Sequence, residues 1–139
     1  MKIPIITLWQ PWAFWIMMGW KTIETRRHAD LASLTGKMIG IHAGQTWDDD
    51  AIEYARKYLT LGQIALTNKD EIERGVLLGI VYVSRHRLLN KRDSRQALID
   101  CGKVKRYGLM LNGPYLIEPI PLRGKQGIWY YNLKDKGLK

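Results

Sequence analysis

Residues 8–26 read LWQPWAFWIMMGWKTIETR, and the breaks inside this apolar stretch decide the fold. Just upstream, Ile3 to Leu8 is short, apolar and β-branched, the composition of a strand. Pro11 suits the first turn of a helix, where its missing N–H is no loss. Trp12 to Met18 is apolar on every side, as in a helix that is buried or packed across the mouth of a barrel. Gly19 supplies the helix stop. If Thr22 to Arg26 is extended, Glu24 and Arg26 share one face, because strand side chains alternate. The run from Ile3 to Trp20 carries no formal charge, but Pro4, Gln10 and Pro11 interrupt it. No small-residue cleavage site follows, so it is read as strand, break and helix rather than a signal peptide or membrane span.

Further along, Lys37 to Ala43 (KMIGIHA) reads as a second strand. Thr46 is placed to cap a helix from Trp47, with Trp47, Ala51, Tyr54, Ala55 and Tyr58 as its inner face. Asp48, Asp49 and Asp50 fall in its first turn, where carboxylates meet the positive dipole end, and this reading is preferred to a metal cluster. Thr67 is expected to cap a short helix ending near Arg74 and Gly75. Val76 to Ser84 (VLLGIVYVS) is the clearest strand, apolar enough for burial on both sides. Ser94 opens a short helix through Asp100, with Gly102 as its stop. Tyr107–Leu111 and Ile128–Tyr131 read as later strands, Asn112–Gly113–Pro114 as a turn. Pro119 and Pro121 confine the stretch between them to an edge or turn. The sum is a small α+β domain, a curved or barrel-like sheet with short flanking helices. Residues 1–139 form one domain, with 134–139 a frayed tail.

The chain has 139 residues, long enough for one self-sufficient core. One cysteine, Cys101, excludes an intramolecular disulfide and a four-cysteine zinc site, and it suits a reducing, cytoplasmic setting. Three scattered histidines make no metal pattern. No cofactor is implied. The net charge of +9 points to an anionic partner. Its distribution says more. From Arg85 to Arg106 eight Lys or Arg residues stand against two Asp, a net of +6; from Trp47 to Arg74 seven acidic residues stand against four basic, a net of −3. A one-sided basic run, with Arg92 and Lys105 as representative members, suits phosphate contacts that give affinity and orientation rather than base choice. A solvated face is the plainer alternative.

The stretch from Leu8 to Arg26 also resembles the signature of the ASCH family, whose domains share a PUA-like β-barrel. The family's G-x-K-x-x-E-x-R core is matched by Gly19, Lys21, Glu24 and Arg26, preceded by Trp-Gln-Pro-Trp at 9–12. Ile39 to Gly44 resembles the family's second strand and the loop after it. PIPLRGKQGIW, residues 119–129, resembles the closing strand-turn-strand of its bacterial and phage-type members. The resemblance is weakest over 58–75 and 88–107. It implies a small PUA-like β-barrel and a ligand cleft near Gly19–Arg26, taking single-stranded RNA or a modified nucleoside, with no membrane and no metal.

Within that frame, Glu24 is suited to accept hydrogen bonds from a base edge, and Lys21 and Arg26 to hold a phosphate or carbonyl oxygen. A structural ion pair between strand and helix is the alternative. His42 falls at a loop mouth near the expected cleft. Trp20 and Tyr107 are candidate stacking surfaces. Arg123 and Lys125 lie in a glycine-bounded basic turn, RGKQG, suited to a phosphate. If the protein is an enzyme, Lys21 and Glu24 are its catalytic candidates. One activity is metal-independent RNA cleavage, which needs a base, an acid and a cation. The other is amide hydrolysis of an N4-acylated cytidine, which one branch of the family resembles. That branch uses a lysine and a threonine three residues later, and here Glu24 occupies the threonine's position.

Overall fold

The structure, a computed structural model, describes residues 2–133. Its strands are β1 (Lys2–Gln10), β2 (Ile23–Arg26), β3 (Met38–Trp47), β4 (Val76–Leu88), β5 (Tyr107–Pro121) and β6 (Trp129–Asn132). Four short helices accompany them: α1 (Trp12–Met17), α2 (Ala51–Ala55), α3 (Leu61–Leu66) and α4 (Ser94–Ala97). The strands form one sheet in the order β2-β5-β4-β3-β1-β6. β1 runs parallel to β3, with Ile6 opposite Ile41, and the other neighbours are antiparallel. The four-residue strands β2 and β6 sit at opposite ends of this order and do not pair, so the sheet is curved but open where a closed barrel was expected. Its bending is concentrated in the β4–β5 ribbon, which shifts register three times. Such irregularities bend and twist a strand pair.

Both faces of the sheet are covered. On one, Ile6, Ile41, Val81, Val83 and Leu111 pack with Ala13, Ile16 and Met17 of α1. On the other, Ile3, Ile5, Leu77, Ile117 and Trp129 form a smaller cluster. Double-sided burial accounts for the continuous apolar run in β4. A helix of six residues cannot stand alone in water, so α1 depends on this packing. Its N-terminus is closed by Gln10, which is fully buried: Oε1 accepts from the Phe14 N–H (2.8 Å), and Nε2 donates to the Glu73 carbonyl (2.9 Å). At its other end Gly19, at φ +79°, turns the chain so that the N–H groups of Trp20 and Lys21 both reach the Trp15 carbonyl at 3.0 Å.

Several local expectations are corrected. β3 continues to Trp47 because Trp47 pairs with Gln10, so Thr46 caps nothing and α2 starts only at Ala51. Of its expected inner face, Ala51 and Ala55 are buried but Tyr54 is exposed. The next helix lies before Thr67, not after it: Thr60 and Gln63 form its capping box. The Thr67 hydroxyl instead accepts from the Trp15 indole (3.0 Å). Asn112–Gly113–Pro114 is a bulge inside β5, with Gly113 at φ +62°, rather than a turn. Beyond Met110, β5 has lost its β2 partner and is an edge, which is why Pro119 and Pro121 are tolerated within it. α4 stops at Ala97, closed by Leu98 in a left-handed conformation, well short of Gly102. The tail expected at 134–139 lies outside the described residues.

The segment from Asn90 to Arg106 is tied down by Asp93. Its carboxylate takes two hydrogen bonds from the Arg87 guanidinium, at 2.8 and 2.9 Å, and a third from the Asn90 N–H at 2.9 Å. The Arg87 contact holds the Asp93 carboxyl below the usual carboxylate range. Asp93→Ala is therefore expected to lower unfolding free energy by about 3 kcal/mol. A pH series of thermal melts should show this deficit at neutral pH. Because the folded value is depressed, the wild-type advantage is present above 3.8 and fades as pH falls through the folded value.

Candidate functional site

Lys21 and Glu24 lie at the junction of α1, β2 and α4. The Lys21 side chain is sealed from solvent at 2% exposure, and Glu24 is buried beside it. Lys21 Nζ donates to the Ala97 carbonyl (2.5 Å) and sits 4.9 Å from the centre of the Trp12 ring. Glu24 Oε1 is 3.9 Å away, an ion pair rather than a short hydrogen bond. Burial pulls the Lys21 ammonium down to about 8, against the upward pull of Glu24; the same burial pushes the Glu24 carboxyl up, against Lys21 and Arg26. Arg106 adds to the downward pressure on Lys21. This is a desolvated charge pair behind the surface.

Arg26, two residues further along β2, reaches a different space. It lines a cleft of about 1010 Å³ whose other walls include His42 and Gln45 of β3 and the turn at 123–127. His42 is buried at the cleft floor. Its Nε2 bonds the Leu122 carbonyl at 2.8 Å, and since a carbonyl only accepts, Nε2 carries the proton. Burial keeps the ring on the neutral side of its ordinary range. Trp129 meets the ring edge-on at 5.5 Å, and the Trp129 indole donates to the Thr7 hydroxyl at 3.0 Å. A Cβ on Gly124 would stand 2.8 Å from His42 Cε1 and 3.0 Å from Thr7 Cγ2. The turn therefore rests directly on the histidine, and only glycine fits there. This seating presents Arg123 and Lys125 to solvent on the cleft rim, with Lys125 6.0 Å from the Trp129 ring centre. Among the described residues, three buried side-chain atoms lack a hydrogen-bond partner: Arg26 Nε, His42 Nδ1 and Arg106 Nε. Two of the three belong to this cleft.

The structure thus brings Arg26, His42, Arg123 and Lys125 together, and leaves the other candidates elsewhere. Trp20 packs edge-on against Phe14 at 5.5 Å, next to α1. Tyr107 faces Arg26 across the β2–β5 ladder and stacks on His86. Lys105 lies over the Tyr107 ring at 5.6 Å. Arg92 is exposed on a short 3-10 turn. Among the described residues, no group of three His, Cys, Asp or Glu is placed to hold a metal, and no helix is long and apolar enough to cross a membrane. Of the aspartates at 48–50, Asp48 accepts from the Trp12 indole at 2.8 Å. Trp9, expected in the core or the cleft wall, stands 56% exposed on the cleft wall. Asp30 also lines the cleft and escaped the sequence reading, having carried no signal.

Two outcomes check this geometry. Below pH 8 both folded and unfolded chains hold the Lys21 proton; between about 8 and 10.5 only the unfolded chain does. Stability attributable to Lys21 therefore rises with pH across that window, by about 3 kcal/mol in all. Denaturant titrations of wild type and Lys21→Met should diverge accordingly, and parallel profiles would contradict a buried ammonium. Separately, Gly124→Ala forces a methyl into the His42 ring and should cost about 1–3 kcal/mol, as overpacking does. Its structural signature would be a displaced His42 ring resonance.

No family model matches the chain. Among solved structures, the ASCH protein of Zymomonas mobilis superposes at a TM-score of 0.62 and 18% identity, over 94% of this chain and 88% of that one. Two variants of that protein give TM-scores of 0.59 and 0.58 at 17% and 18% identity, over 93% of this chain and 87% and 89% of theirs. The chain thus shares its overall fold with these ASCH structures.

Proposed function

We propose that this protein is a cytoplasmic RNA-binding module, taking single-stranded RNA or a modified nucleoside within it into the cleft bounded by Arg26, His42 and the 123–127 turn. One observation carries the reading. Three cations, Arg26, Arg123 and Lys125, line that single cleft against one carboxylate, Asp30. Such a concentration of positive charge favours an anionic ligand. Arg123 and Lys125 match phosphates, the former with a bidentate fork. Trp9 offers an aromatic wall. The ASCH fold and the resemblance at Gly19, Lys21, Glu24 and Arg26 agree with this ligand class.

A second reading rests on Lys21, whose ammonium is lowered to about 8, within reach of general-base work. In that reading Lys21 and Glu24 serve RNA cleavage or hydrolysis of an N4-acylated cytidine. Their burial and the commitment of Nζ to the Ala97 carbonyl weigh against it.

The test is a titration of fluorescein-labelled single-stranded RNA at low and high salt, with the recovered RNA run on a denaturing gel. The expected result is intact RNA and affinity that falls steeply with salt. Replacing Arg123 and Lys125 together by Gln should reduce the log–log salt slope by about 1.4, two phosphate contacts' worth on a single strand. Shortened RNA that persists in wild type and disappears in Lys21→Met would favour the second reading. No binding at low salt would refute the first.

A further inference from the structure

We propose that the bound RNA is a strand of several nucleotides, which leaves the cleft across a Tyr107–His86 stacking platform and continues along a lysine-lined groove beside Lys103 and Lys105. The inference rests on the cleft reading above and extends it to the length of the ligand and its path out of the cleft. Its basis is a chain of shared residues. Arg26 lines the cleft and stands directly opposite Tyr107 in the β2–β5 ladder. Tyr107 in turn stands opposite Leu88 of β4, and Leu109 opposite His86. Opposed residues of a ladder point to the same side, so Arg26, Tyr107 and His86 share one face. On it the Tyr107 and His86 rings lie parallel, 5° apart in plane and 5.7 Å between centres. Lys105 Nζ stands over the Tyr107 ring and also lines a second groove of about 350 Å³, together with Lys91, Lys103, Leu88 and Cys101. Arg26 is thus common to the cleft and the ladder that carries Tyr107, and Lys105 is common to the ring pair and the second groove.

Charge along the path is unevenly committed. Asp93 is occupied by Arg87, and Asp100 stands 3.8 Å from Lys91. Among the described residues, no ion pair engages Lys103 or Lys105. A ring pair flanked by unpaired lysines is the arrangement that binds single strands: bases stack on the rings regardless of sequence while the cations follow the phosphates. A duplex has its base faces already stacked and offers the platform nothing, so the geometry selects a single strand. It also separates a polynucleotide from a free nucleoside, which would occupy the cleft alone.

Fluorescence anisotropy with labelled uridine dinucleotide, uridine octanucleotide and an RNA duplex of matching length tests this. Wild type should bind the octanucleotide at least about tenfold more tightly than the dinucleotide, the worth of one base–aromatic stack. It should also prefer the octanucleotide to the duplex. Tyr107→Leu should remove the length gain. A double replacement of Lys103 and Lys105 by Gln should reduce the gain and flatten its salt dependence. These lysines are exposed, so the double variant keeps the test decisive if Tyr107→Leu fails to fold. Equal affinity for the two lengths, a length gain that survives either variant in folded form, or equal binding of duplex would overturn the path while leaving the cleft reading intact. Absence of binding at both lengths would overturn both.

Discussion

The structure is organised around an ammonium group held out of water. Lys21 sits where α1 ends, β2 begins and α4 crosses, and each of the three supplies part of its surroundings: the Trp12 ring, Glu24 and the Ala97 carbonyl. An isolated buried ammonium is far too costly to persist, so these elements can meet only if they bring partners. The partners here are incomplete, since an ammonium has three donors and the carboxylate stays 3.9 Å away. That shortfall is why burial outweighs the pull of Glu24. It also makes Lys21 a fixed point: with it in place, the Thr22 N–H meets the Gln96 carbonyl and the Leu111 N–H meets the Thr22 carbonyl, both at 2.9 Å. β2 is thereby set against β5 and α4, and Arg26 is delivered to the cleft.

A division of roles follows along one short strand. Glu24 turns inward to a charge pair without solvent, whereas Arg26, on the same side two residues on, emerges at a cleft wall with its Nε unpaired. The opposite wall is built by different means. His42 spends its one proton on the Leu122 carbonyl, and Gly124 lets the turn settle onto the ring. The cations of the turn face outward as a consequence of this seating, and among the described residues no ion pair engages them. Preorganised donors of this kind bind without paying for rearrangement.

How much of this was legible in the sequence depends on the range of the interaction involved. The strand–helix–strand of residues 3–26 could be read locally, because proline, an all-apolar run and a glycine stop each act within a few residues. Val76 to Ser84 was legible for the same reason. Trp47 was not: its extended conformation comes from pairing with Gln10, 37 positions earlier. Thr67 looked like a cap, but its hydroxyl serves an indole on another helix. Pro119 and Pro121 pointed to an edge or a turn, and the edge is what forms, because the outer side of β5 is vacant there. In the site, the tryptophans at 9, 12 and 20 around Lys21 pointed to its desolvation, and Trp12 does cover it. The depth of Glu24 against that of Arg26 was not readable. The ASCH-like core motif gathered Lys21, Glu24 and Arg26 as a set, and the fold divides that set between interior and cleft.

The central claim is that the rim of the cleft, and not the enclosed lysine pair, meets the ligand. The six tryptophans are placed to report on it. Trp9 lines the cleft and Trp129 packs edge-on against His42 beneath it, while Trp12 covers Lys21 and Trp15 is buried behind it. Indole N–H resonances, followed by two-dimensional NMR as single-stranded RNA is added, separate the two places in one experiment. The account predicts that Trp9 and Trp129 shift progressively while Trp12 and Trp15 stay in place. Shifts confined to Trp12 and Trp15 would contradict it and put the ligand at the buried pair.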